Sequence, residues 1–66
     1  MGRMPLRVRE VKAMALKKGW VYSHTTGSHA HYYHPTIAGL LTIAGADHIE
    51  LDKGAERKLR RQIQGK

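Results

Sequence analysis

Thr26-Gly27-Ser28-His29-Ala30-His31-Tyr32-Tyr33-His34-Pro35 is the stretch whose reading decides the fold. Gly27 reaches positive φ without a Cβ clash, so Thr26-Gly27-Ser28 reads as a turn. His29 to His34 then alternates: Ala30, Tyr32 and His34 share one face, and His29, His31 and Tyr33 the other. That period of two is the signature of a strand. Pro35 has no N–H to give a ladder, and ends it. Before the turn, Trp20 to Thr25 is rich in aromatic and β-branched residues and sets Trp20, Tyr22 and His24 against Val21, Ser23 and Thr25. The two runs make a hairpin.

Working outward, Thr36 to Gly39 reads as a second turn and Leu40 to Ala44 as a third, more apolar strand. On the N-terminal side, Leu6 or Arg7 to Lys18 has the period of a helix. Val8, Val11, Met14 and Ala15, with the stem of Lys18, fall on one stripe. Gly19 suits the position just past a helix end. Residues 1–5 read as a loose lead-in, with Gly2 and Pro5 as breakers. After a connection over residues 45–52, Asp52 suits the N-cap of a second helix beginning Lys53-Gly54-Ala55. Ala55, Leu59 and Ile63 give that helix a narrow apolar stripe, and Gly65 and Lys66 read as its frayed end. The expected architecture is α+β, in the order α-β-β-β-α: a three-stranded antiparallel sheet with two helices on one face, spanning residues 1–66 as one domain. Trp20 and one tyrosine from each sheet face are the expected aromatic core.

The composition limits what such a chain can do. Its 66 residues bury only a thin core, and no cysteine is present to form a disulfide or a thiolate zinc site. No apolar run is long enough to span a bilayer, and the N-terminus lacks the apolar region of a signal peptide, so a cytoplasmic protein is expected. The net charge of +7 is unevenly placed. Residues 1–18 and residues 53–66 each hold six Lys/Arg and one Glu, +5 apiece, while residues 19–52 hold no Lys or Arg and three acids, −3. All five histidines lie in that middle part. Two basic ends around a histidine-rich centre suit a polyanion held by the ends and presented to the centre, which makes nucleic acid the expected partner.

Among the histidines, His29 has the best position for chemistry, at a strand start directly after a turn. An imidazole takes and gives a proton near neutral pH. RNA cleavage asks for little else: a base to deprotonate the 2′-hydroxyl, an acid for the leaving 5′ oxygen, and cations for the phosphate. The plainer reading of a turn histidine is a solvated side chain with an ordinary hydrogen bond. A third reading takes His29 and His31, on one strand face, as zinc or copper ligands with His48 or a carboxylate. It is disfavoured because the hairpin holds no acid. Tyr22, Tyr32, Tyr33 and Trp20 are candidates for stacking on unpaired bases, and the basic helix faces (Arg7, Lys12, Lys17; Arg57, Arg60, Arg61) suit phosphates.

These residues resemble one known family. Leu16-Lys17-Lys18-Gly19-Trp20, the turn Gly27-Ser28-His29, Tyr32 with His34-Pro35, and Glu50-Leu51-Asp52-Lys53-Gly54 stand in the order and spacing of HicA-type toxins. The resemblance covers about residues 6–63. It implies a fold similar to the double-stranded RNA-binding domain, metal-independent endoribonuclease activity on mRNA with no cofactor, and a HicB-type antitoxin as protein partner. His29 takes the place of the family's catalytic histidine. Ser28, His31, Lys53 and Arg57 are the expected RNA-binding residues, Lys53 and Arg57 as phosphate cations. The chain departs from the family at Thr26, where Lys or Arg is common, and at His31, where an apolar residue is usual. It departs again at Ala55, which often is threonine, and His48 stands one residue out of register with the family's second histidine. A non-catalytic RNA- or DNA-binding module, or an antitoxin-docking module, on the same fold is the rival expectation.

Overall fold

A computed structural model describes residues 5–65. The lead-in over residues 1–4 and the terminal Lys66 lie outside the described residues. The elements are α1 (Val8–Lys17), β1 (Val21–Thr26), β2 (His29–Tyr33), β3 (Leu41–Ala44) and α2 (Lys53–Gln64). The strands pair antiparallel in the order β1-β2-β3. The expected α-β-β-β-α order is observed, and both helices pack on one sheet face.

That face is set by strand alternation. Ala30 and Tyr32 from β2, and Leu41 and Ile43 from β3, are buried with Val8, Val11 and Ala15 of α1, Ile63 of α2, and Trp20. His29, Tyr33, Thr42 and Ala44 alternate with them and are exposed, and His31 is half-buried. One side of the sheet is therefore open, as a period-two pattern permits when only one face is apolar.

The hairpin is tighter than its sequence suggests. Thr26 pairs with His29, so the turn is Gly27-Ser28 alone, with Gly27 at φ 61°. Ladder partners follow as Thr25↔Ala30 and His24↔His31. A bulge at Ser23 then brings Tyr22 opposite Tyr32 and Val21 opposite Tyr33. The extra residue moves Tyr22 to the helix side and leaves His24 on the open side, so the expected grouping of Tyr22 with His24 does not hold. Tyr22 meets Tyr32 edge-on, with centroids 5.7 Å apart, and shares a 2.7 Å hydrogen bond with Thr25.

The aromatic core is smaller than expected. Trp20 and Tyr32 are buried, whereas Tyr22 and Tyr33 remain about half exposed, at 51% and 47%. Among the described residues no second layer covers Tyr33 on the open face, and Tyr22 sits on the edge strand.

Elsewhere the ends of the helices are tied down. Asp52 Oδ1 accepts from the Ala55 N–H at 2.7 Å, the expected cap of α2. Gly19, at φ 94°, follows α1, and Gly65, at φ 77°, caps α2. The Trp20 indole donates to the Ile63 carbonyl at 3.0 Å and so binds the end of α2 to the start of β1. The segment after β3 serves the other end: Ile49 and Asp47 carbonyls accept from the Val8 and Arg9 N–H groups at 2.9 and 3.1 Å. Those are first-turn donors with no intrahelical partner.

Candidate active site on the open sheet face

His29 begins β2, with its backbone paired to Thr26 on one side and Ala44 on the other. The Ser28 carbonyl accepts from the Gly45 N–H at 3.0 Å, so the turn is also held from the β3 side. A residue fixed by two ladders and a pinned turn has little backbone freedom. Its side chain is exposed, and among the described residues its imidazole makes no hydrogen bond. This leaves both ring nitrogens open to a bound substrate.

Two more histidines share this face. His24 and His31 lie directly opposite each other, with rings stacked at 4.6 Å and an interplanar angle of 27°. Nδ1 of His24 bonds Ser23 Oγ at 3.0 Å, and Nδ1 of His31 bonds Thr42 Oγ1 at 3.1 Å. Each ring is thus oriented through its Nδ1, and no hydrogen bond engages its Nε2 among the described residues. His24 was not legible as a member of this group from simple alternation. Counting the register back from a two-residue turn would have found it.

The remaining candidates lie elsewhere. Ser28 belongs to the turn next to His29, so the structure groups Ser28, His29 and His31. Lys53 and Arg57 sit on α2, in the layer behind the other sheet face, and no hydrogen bond or ion pair among the described residues joins them to the histidines. Arg57 lines a groove with Arg60, Arg61 and Gln64. Arg60 is itself paired with the carboxylate of Glu56 at 3.0 Å. His48 lies in the connection beside the N-terminus of α1, where its carbonyl accepts from Arg7 Nη1 at 3.5 Å. His34 is structural: its ring meets Trp20 edge-on at 5.2 Å, and both of its nitrogens are bonded.

Charge follows the same division. The open face carries no Lys or Arg, because residues 19–52 contain none. Lys12 meets Asp47 at 2.7 Å, and this hydrogen-bonded ammonium holds the Asp47 carboxyl below its usual value. Arg7 reaches Glu50 at 3.8 Å. Burial pushes the Tyr32 phenol up, opposed by the nearby Lys12 charge. Among the described residues no set of three or more His, Asp or Glu is placed to hold a metal ion. No helix among them is long and apolar enough to cross a membrane.

The family model for the HicA toxin of bacterial toxin–antitoxin systems matches residues 8–64, from the first turn of α1 to the last residue of α2. The chain belongs to the HicA toxin family. It is thus the toxin of a toxin–antitoxin pair. The match spans every element described above, including the hairpin that carries Gly27, Ser28 and His29. Comparison with the curated proteins gave no match.

Proposed function

We propose that this HicA-family chain is a metal-independent endoribonuclease that cleaves mRNA with His29 as its catalytic residue. The placement of His29 supports this reading: an exposed imidazole with no hydrogen-bond partner among the described residues, on a backbone held from both sides, at one end of an uncharged sheet face. In the reaction the ribose 2′-hydroxyl attacks the adjacent phosphorus as its proton leaves to a base. The bond to the 5′ oxygen breaks as that oxygen gains a proton from an acid. His29 fills one of these roles, and proton transfer of this kind is worth about 10²–10⁴-fold. The products are a 2′,3′-cyclic phosphate and a 5′-hydroxyl.

Ser28 and His31 would contact RNA from the same end of the sheet. Lys53 and Arg57 would hold the phosphate backbone from the helix layer, so a bound strand has to pass around the edge of the domain. A HicB-type antitoxin, covering the open face, would silence the activity in the cytoplasm. The separation of the cations from His29 favours one rival, a binding module without cleavage. Expression in bacteria lacking the antitoxin tests the choice. The parent should halt growth, and folded His29→Ala should not; growth arrest by the folded variant would remove His29 from the mechanism.

A further inference from the structure

We infer that the His24–His31 stack is a platform for an unpaired nucleobase beside the scissile phosphate, so that the substrate is taken as splayed single-stranded RNA. The inference rests on the ribonuclease reading above. Four observations carry it. First, the two rings are already stacked, at 4.6 Å, on the same sheet face as His29. Second, each ring is held through Nδ1 by a hydroxyl, from Ser23 and from Thr42, which reduces the rotamer freedom lost on binding. Third, β1 is an edge strand, and the only ring contact of His24 among the described residues is with His31. A base can therefore continue the stack beyond His24. Fourth, the face holds no Lys or Arg, so it offers flat rings and hydroxyls, and no fixed charge for a phosphate.

Spacing points to single strands. His29, His31 and Tyr33 stand two residues apart along β2 and face the same way. Successive same-face positions on a strand are about 6.6 Å apart. Bases in a stacked helix rise about 3.4 Å per nucleotide in one strand. A strand laid along β2 must have its bases unstacked from one another, and each then needs a ring of the protein instead. Aromatic rows on an open sheet face hold single-stranded RNA on this principle. Because every base has a flat face, such a platform tolerates many sequences.

The platform and the helix cations make opposite predictions with salt. Stacking on neutral rings releases no counterions, whereas phosphate contacts do. The experiment measures binding of a 2′-O-methyl oligonucleotide, which lacks the attacking hydroxyl, at about pH 8, where free imidazole is neutral. A blunt duplex of the same sequence is the control. His24→Ala and His31→Ala should each weaken single-strand binding roughly tenfold. They should leave the salt slope and duplex binding unchanged, while His24→Phe restores affinity. In cleavage of ordinary RNA the same alanine variants should raise KM more than they lower kcat. If the alanine variants bind the single strand as tightly as the parent, or lose single strand and duplex alike, the platform is wrong while the ribonuclease reading stands. If the parent neither binds nor cleaves RNA, both readings fall together.

Discussion

His34 differs from the other histidines in having both ring nitrogens committed. The Thr36 N–H donates to Nδ1 at 3.1 Å, so the ring proton sits on Nε2, which donates to the Lys18 carbonyl at 3.2 Å. The ring thereby joins the end of β2 to the end of α1 while packing on Trp20. His34→Ala should cost about 1–3 kcal/mol in urea unfolding, from the lost bonds and ring contact, with cleavage per folded molecule unchanged. Trp20→Phe removes the indole donor to Ile63 and part of the buried ring volume, so a loss of about 1–3 kcal/mol is expected by the same measurement. Residue identity alone could not separate these duties. Alternation set His34 on the face opposite to His29 and His31, but did not show that its ring would be bonded at both nitrogens. Of the hydrogen bonds that distinguish these histidines, those with Lys18 and Thr42 are remote in sequence, while that from Thr36 is local.

At the level of elements, punctuation residues were the most legible. Gly19, Gly27 and Asp52 act locally through φ or a single side-chain bond, so their roles survive without knowledge of tertiary contacts, whereas Gly65, read as part of a frayed end, is the left-handed C-cap of α2. Asp52→Ala should destabilise by about 1 kcal/mol through loss of the α2 cap, read as a lower urea midpoint with the same slope, whereas Asp52→Ser should be close to neutral. The Ser23 bulge left no local signal, because neither Ser23 nor His24 demands a special backbone conformation. Register is counted from the turn, and a turn read as three residues instead of two conceals the His24–His31 pair. The connection after β3 was equally hidden. Its carbonyls satisfy the first turn of α1, and backbone hydrogen bonds carry no periodic pattern. The stripe on α2 showed which side of that helix is buried, but not that its basic side lies in a different layer from His29.

For the molecule as a whole, nine buried residues form the one core cluster among the described residues, with Leu41 and Ile43 fully buried. A chain of this length has about 3–10 kcal/mol of stability in all. Leu41→Ala should remove about 2–5 kcal/mol of it, so that far less denaturant unfolds the variant. The Lys12–Asp47 pair ties α1 to the connection after β3 and gives stability a pH dependence. Because the folded carboxyl titrates below its unfolded value of 3.8, this contribution is present above that pH and is lost as pH falls through the lower folded value. Thermal midpoints of the parent should exceed those of Asp47→Asn at neutral pH and converge with them in acid. A gap that persists in acid would place the effect elsewhere. The distribution of charge was legible at this scale: most Lys and Arg of the two basic ends lie on the two helices, the strands hold no charged residue, and the three acids of the centre fall in the connection after β3.

Cleavage in the presence of EDTA tests the central claim most directly. Purified parent and His29→Ala each meet an end-labelled single-stranded RNA, and the product ends are identified. The parent should cleave and leave a 2′,3′-cyclic phosphate, and the variant, equally folded, should not. Intact RNA shifted by both proteins in a salt-dependent way would contradict the account and leave a basic binding module on a HicA fold.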